Sequence, residues 1–366
     1  MNNQNRKLPD PFDSFVVGSL PRPKWVMEVV ERRKNGDISD ANFQSILDTA
    51  VPFAITLQEK AGLDYITDGE WRRESYVKVF ADSVSGFEKG LISDPTGVSG
   101  LEYPAIVSNM KKIDDIAVSE AVFLKNITQS KTIIALPAPY TIGRRMWSPE
   151  HSSSAYETSD DFVQACIPII REEIKNLIDI GVDAIQLDEP WLALLVDPNY
   201  RKRSNISGSQ IDHEIQLSIQ SINSVVEGLE KIPFSIHFCH AHYNRKHGTK
   251  GPYDLIIDAL SDINVDRFAM EFATPDAGGL EVLSKFPKNK TLGLGVIDHT
   301  DINIETPEVV VNRVERAMEY IEKPHITLNP DCGFAPSSLN PMDFDEAYKK
   351  LRSMSLGAQL LRGKYE

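Results

Sequence analysis

Cysteine is scarce, with only Cys166, Cys239 and Cys332 in 366 residues. So few, and an odd number, exclude a disulfide framework and point to free thiols in a reducing compartment. Cys166, within "FVQACIPII", reads as a small core residue. No apolar run approaches membrane-spanning length. The opening "MNNQNRKLPDPFDS" lacks the hydrophobic centre of a secretory signal, so the expected location is cytoplasmic, with no membrane partner. Lysine and arginine form no tract, and the formal charge is −14. This argues against a general nucleic-acid binder, and no nucleic-acid partner is expected, because phosphate binding needs clustered cations. No low-complexity tract, repeat or Pro/Gly/Ser linker divides the chain, which predicts one domain over residues 1–366.

What the chain does have is a rhythm of short β-branched runs followed by longer amphipathic segments, the pattern of βα units and a parallel sheet. Candidate strands are "FVVGS" (15–19), "DYITDGE" (64–70), "TIIALP" (132–137) and "DAIQLDEP" (183–190). They continue with "FSIHFC" (234–239), "RFAMEF" (267–272), "TLGLGVID" (291–298) and "HITLNPD" (325–331). Helices are expected before residue 61, over 159–180, across "IDHEIQLSIQSINSVVEGLEK", from "TPEVVVNRVERAMEYIEK", and in the closing "DFDEAYKKLRSMSLGAQLL". Eight strands, each answered by helix, predict an α/β fold of the (β/α)8 TIM-barrel type. Residues 83–130 read as a hairpin-like insertion between the second and third βα units.

Barrels of this kind build their active sites at the carboxyl ends of the strands. Here those ends carry Gly18 and Ser19, Asp68 and Glu70, Asp188 and Glu189, His237 and Cys239, Glu271, Asp298 and His299, and Asp331 and Cys332. The window "SIHFCHAHYNRKH" (235–247) adds four histidines to one cysteine. His237 and Cys239 lie two apart at a strand end and share a face. With Glu271 and Cys332 they offer N, S, O and S donors, the set that four-coordinate Zn2+ prefers; magnesium and calcium want oxygen shells. Each member also has a plainer reading: a core histidine beside a buried thiol, a capping glutamate, a turn cysteine in "NPDCG". His240, His242 and His247 are expected on the loop beyond the strand, shaping the mouth of the cleft.

Taken together, these segments resemble the catalytic C-terminal barrel of the cobalamin-independent methionine synthase family, colinearly from about residue 14 onward. "VVGSLPRP" is similar to the family's first-strand motif and "DGEWRRESYVKVF" to its Gly-Glu motif. "LEYPAIV", "IQLDEPWL", "HFC", "MEFA", "GLGVID" and "NPDCG" follow in the family's order. The resemblance implies zinc held by His237, Cys239, Glu271 and Cys332. It implies an amino-acid thiol held around Val17, Gly18 and Ser19, with its ammonium group on Glu70 and Asp188. Two carboxylates around one cation make a charge-assisted clamp; the competing reading pairs them with Arg72 or Arg73.

The implied activity is methyl transfer from a methyl-folate or methyl-corrinoid donor to homocysteine, a 5-methyltetrahydropteroyltriglutamate–homocysteine methyltransferase-like reaction. Thiolate is the nucleophile, and coordination to zinc removes the thiol proton. Glu271 is the ligand expected to give way to substrate sulfur. The leaving nitrogen needs acid assistance, for which His299 or Asp298 is the expected catalytic group.

Three departures stand out. The family pattern Asp-x-His reads Asp298-His299-Thr300 here, which displaces the histidine by one. The region after the third strand reads "APYTIGRRMW", where Arg144 and Arg145 could receive an anionic group or be solvated surface charge. The family's N-terminal barrel has no counterpart in these residues, as in stand-alone forms. One alternative is therefore an epoxyalkane:coenzyme M transferase-like alkyltransferase. A glycosidase using Glu189, or a non-catalytic zinc protein, leaves more of the motifs unexplained.

Overall fold

The β-branched runs pair into a parallel ring. The computed structural model describes residues 6–92, 103–335 and 342–365. Its strands are β1 (Tyr65–Ile66), β2 (Val84–Ile92), β3 (Pro104–Lys112), β4 (Lys131–Pro137), β5 (Ala184–Asp188) and β6 (Phe234–His237). They continue with β7 (His242–Tyr243), β8 (Lys246–His247), β9 (Arg267–Met270), β10 (Thr291–Ile297) and β11 (Ile326–Pro330). Seven of them form one sheet in the order β1-β4-β5-β6-β9-β10-β11, with every pairing parallel. Ser14 bridges Leu328 of β11, and Phe15 bridges Tyr65 of β1, both in parallel sense. The Phe15 amide donates to Leu328 O at 2.8 Å and the Tyr65 amide to Ser14 O at 3.1 Å, which closes the ring. The fold is a (β/α)8 barrel whose first strand is only this bridge. The expected strand 15–19 ends early because the backbone turns at Gly18, with φ +93°.

Both faces of the sheet are buried, so the strands read as continuous apolar runs rather than alternating ones. Every residue of β10 is buried, for example. Inside the barrel Arg267 donates to Thr327 Oγ1 at 2.8 Å, Ser235 Oγ at 3.0 Å and Asn329 Oδ1 at 2.5 Å. Its guanidinium lies 4.0 Å from the centroid of the Phe15 ring. A buried cation without a carboxylate is costly, and burial pushes its pKa down to about 9.

Local signals place several helices where the periodicity does. Ser159–Ile180 opens with a Thr158/Asp161 capping box and stops at left-handed Gly181. Ser209–Val226, Pro307–Ala317 and Phe344–Tyr365 supply further outer helices. Two connections differ from the expectation of a helix after every strand. β6 is followed by the antiparallel β7–β8 hairpin and 3-10 turns at Tyr253–Leu255 and Ile257–Asp262. β9 is followed by 3-10 turns at Pro275–Ala277 and Leu280–Lys285. Short segments broken by Pro252, Pro275, Gly278 and Gly279 cannot sustain α-helix. Between β1 and β4, β2 and β3 form an antiparallel ladder, and the helix Val118–Ile127 follows.

Candidate functional site

β5 and β6 run side by side with Asp188 in register with His237. That register brings the Asp188 carboxylate to the imidazole, with His237 Nδ1 3.2 Å from Asp188 Oδ1. The Gln186 amide donates to the same oxygen at 2.9 Å. Nδ1 is therefore the nitrogen turned to the carboxylate, and Nε2 is buried with no hydrogen-bond partner among the described residues. Cys239 follows on the same side, and Cys332 arrives from the loop after β11. The donor atoms of His237, Cys239 and Cys332 all lie within 4.8 Å of one another.

The two thiols act on one another in opposite directions. A hydrogen bond from Cys332, helped by His237, holds Cys239 well below the ordinary cysteine range against the cost of burial. Donation of that same bond, together with burial, pushes Cys332 well above it. Burial lowers the His237 pKa, but the Cys239 thiolate and Asp188 outweigh it and raise it to about 10. An orphaned imidazole nitrogen beside a thiolate and a thiol, with a carboxylate behind the ring, fits a soft divalent ion such as zinc.

Beside this cluster lies a small cavity of about 30 Å³ lined by Val17, Ser19, Glu70, Tyr76 and Asp188 as well as the three donors. A larger groove between Phe272 and Arg316 lies away from these donors. Gly18 is where the first turn meets Glu70: a Cβ there would stand 2.5 Å from Glu70 Oε1. Ser19 ties this turn to the loop after β11, its hydroxyl accepting from the Ala335 amide at 3.2 Å and its carbonyl from the Phe334 amide at 2.9 Å. Glu70 itself sits at φ +56°. Burial, reinforced by Asp188 and Asp68 and only partly offset by Arg73, raises its pKa to about 8. Arg73 is no tight partner, at 3.5 Å from Glu70 but 2.7 Å from Glu120. Arg72 is engaged elsewhere, with Asp48 at 2.7 Å.

Glu271 is not among the three donors that converge. Its Oε2 lies 2.6 Å from His240 Nδ1, its Oε1 contacts His242 Nε2, and His247 Nε2 is 3.7 Å from Oε2. The histidines expected at the cleft mouth are instead packed inward around this carboxylate. His240 Nε2 lies 3.0 Å from the Gly251 carbonyl, so both of its nitrogens face acceptors; burial lowers its pKa, but Glu271 outweighs this and raises it. Burial would raise the Glu271 pKa, yet His242 and His240 hold it well below the carboxylate range. His299 stands edge-on to His242 at 3.8 Å between centroids, with neither ring nitrogen hydrogen-bonded among the described residues. Burial, with His242 alongside, keeps it well below the usual histidine pKa.

Asp298 is not brought to the cavity. Its Oδ1 accepts from the Thr300 amide at 2.7 Å and hydroxyl at 2.6 Å, which makes it a turn residue. Glu189 caps the helix Pro190–Leu194 and accepts from Thr141 Oγ1 at 2.6 Å. Arg144 is bound to Glu214 and Asp160, each at 2.8 Å, and is neither surface charge nor an anion receptor. Arg145 lies 4.9 Å from the centroids of both the Tyr103 and Trp191 rings.

Sequence reasoning missed Tyr76 in the cavity wall, Gln186 behind Asp188, and His240 behind Glu271. It also missed that Asp331 accepts from the Phe272 and Ala273 amides at 3.1 and 3.0 Å, fixing the chain beyond Glu271. Only the strand-end position of Gln186 in "IQLDEP" and the histidine density of 237–247 could have signalled them.

The fold and site are thus an α/β barrel with two cysteines and a histidine grouped as possible metal donors at its carboxyl mouth. The family described as "Cobalamin-independent synthase, Catalytic domain" matches residues 12–359, and the chain belongs to it. That is a family of methyltransferases. The chain is 31% identical over 351 residues to a methionine synthase of Saccharolobus islandicus strain L.S.2.15, covering 95% of this chain and 94% of that one. It is 30% identical to a methionine synthase of Sulfurisphaera tokodaii, covering 95% and 91%. Among solved structures it resembles a B12-independent methionine synthase from Shewanella sp. W3-18-1 in complex with selenomethionine. The TM-score is 0.80 at 22% identity over 97% of this chain and 98% of that one. This last likeness concerns the fold.

Proposed function

We propose that the protein is a zinc-dependent methyltransferase that moves a methyl group from a methyl-folate or methyl-corrinoid donor to homocysteine, giving methionine. The observation that carries the reading is the orphaned His237 Nε2 grouped with Cys239 and Cys332, beside a cavity walled by Glu70 and Asp188. His237, Cys239 and Cys332 would hold the ion, with Glu271 as the fourth ligand. Bound zinc supplies Lewis acidity that keeps a substrate thiol deprotonated at neutral pH. All three cysteines are free, consistent with a reducing compartment such as the cytoplasm.

The chain's own groups do the rest. Glu70 and Asp188 bind the substrate ammonium, which fixes the amino-acid end and aims the sulfur at the metal ligands. Val17 and the Ser19 turn close the cavity over the substrate carboxylate. Asp188 has a second task, holding His237 in the tautomer that leaves Nε2 free. We assign the proton-handling role to His299, supported by its buried position against His242; Asp298 is spent on its turn. Two carboxylates in the cavity wall favour an ammonium-bearing thiol over the sulfonate of coenzyme M.

The test is to measure zinc in protein purified without chelators, then offer homocysteine or coenzyme M against methyl-folate, methylcobalamin and an epoxide. Zinc with homocysteine methylation is expected. Absence of zinc, or turnover of the epoxide alone, overturns the reading.

A further inference from the structure

The imidazoles around Glu271 form a second donor cluster that the thiolate centre does not use. We propose that His242, His247 and Glu271 are a second binding site for a divalent transition metal, nitrogen- and oxygen-rich, with His299 packed against it. The inference does not rest on the methyl-transfer reading, although Glu271, proposed above as the fourth ligand of the thiolate centre, would be common to both sites.

The β7–β8 hairpin is built to pair these two histidines. Asn244 and Arg245 both have positive φ, 47° and 58°, as a two-residue I′ turn requires. His242 and His247 are directly opposite each other in its ladder. Cross-strand partners share a face, and the two ring centroids lie 4.4 Å apart. Glu271 meets them from the end of β9. One donor atom from each of the three lies within 4.8 Å of the others. A tetrahedral zinc site, with bonds of about 2.0–2.1 Å, sets its donors about 3.3 Å apart, so closing this cluster takes side-chain shifts of about 1 Å.

The surroundings are those of a metal site. The side chains of His242 and His247 are 2% and 3% exposed and that of Glu271 is fully buried, so water does not compete for the donors. Behind His247 stands a carboxylate: its Nδ1 is 3.4 Å from Asp276 Oδ2, leaving Nε2 directed to the Glu271 side. This repeats the Asp188–His237 arrangement of the thiolate centre. His240 holds Glu271 from the far side through Nδ1, at 2.6 Å. Unused donors remain: His242 Nδ1 and both nitrogens of His299 are buried without a hydrogen-bond partner among the described residues. Buried polar atoms are ordinarily satisfied. Imidazole and carboxylate suit zinc, cobalt, nickel or ferrous iron, and are a harder set than the cysteines offer.

The experiment uses the full chain, loaded with Zn2+ or Co2+ and desalted, and reads metal per chain by mass spectrometry alongside the Co2+ absorption spectrum. Two equivalents are expected for the unaltered protein. His242→Ala with His247→Ala should retain one equivalent, with thiolate-to-cobalt charge transfer intact. Cys239→Ser with Cys332→Ser should retain one equivalent with that absorption lost and only ligand-field bands left. One equivalent in the unaltered protein, with a cobalt spectrum identical in the double-alanine variant, overturns the proposal and leaves the histidines as a hydrogen-bonded dock for Glu271. One equivalent that survives loss of both cysteines upholds it while removing the thiolate centre instead. Because the first reading is made on unaltered protein, a variant that fails to fold does not spoil the test.

Discussion

Glu70 offers the sharpest test of the ammonium clamp. Burial raises its pKa from 4.5 to about 8, so at pH 7 the carboxyl is protonated by about ten to one. An ammonium group binds the ionised form, and binding must first remove that proton. The cost is ~2.7 kcal/mol at pH 6, ~1.4 kcal/mol at pH 7 and ~0.4 kcal/mol at pH 8. The sign follows: a raised acid pKa weakens binding below it, and affinity climbs as pH rises toward 8. Methionine is the cleaner probe than homocysteine, because its sulfur does not titrate. Calorimetry of methionine binding to zinc-loaded protein should show affinity rising by about 50-fold from pH 6 to pH 8. In buffers of different ionisation enthalpy at pH 7 it should show release of about 0.9 proton per site. Glu70→Gln should abolish both signatures and lower the pH 8 affinity by roughly 10- to 100-fold, the worth of a charged hydrogen bond. Methionine binding in the wild type with flat affinity from pH 6 to pH 8 and no proton release would refute the assignment.

Asp188→Asn should weaken zinc retention by about 10- to 100-fold in competition with a chromophoric chelator while circular dichroism is unchanged, because the carboxylate sets the His237 tautomer. Cys332→Ser should lower zinc retention sharply; undiminished zinc would remove it from the ligand set. Gly18→Ala should destabilise the protein in urea titration by at least about 1–2 kcal/mol from its left-handed φ alone. It should also weaken methionine binding, since the new Cβ displaces the Glu70 carboxylate. Glu189→Ala should cost about 1 kcal/mol as a lost helix cap and leave zinc content intact.

Much of the barrel can be read from the chain because its strands are buried on both faces and its long helices carry their own stops. Ser159–Ile180 is bounded by Thr158 and Gly181, and the expected span coincides with it. The strand runs at 131–137, 291–297 and 326–330 lie within or beside the apolar segments expected for them. Reading failed where length and pattern part company. "FVVGS" is apolar enough for a strand, but only Ser14 and Phe15 pair, because Gly18 must turn to admit Glu70. The segments after β6 and β9 carry prolines and glycines and form 3-10 turns in place of α-helix.

The site divides in the same way. His237 and Cys239 could be placed together from spacing alone, since a two-residue interval on a strand fixes a common side. The chain also showed that a histidine-rich segment follows them, expected as a loop; the β7–β8 hairpin came from the structure. Only the packed structure decided what those histidines do. Glu271 could be assigned to a strand end from the sequence, but its two oxygens choose partners through space, and His240 and His242 are closer than any cysteine is shown to be. Likewise Asp298 and His299 are neighbours in sequence, yet one is spent on a turn while the other is buried with both nitrogens unused. Covalent spacing determines which side of a strand a residue takes; the burial and partners that set its charge come from segments far away along the chain.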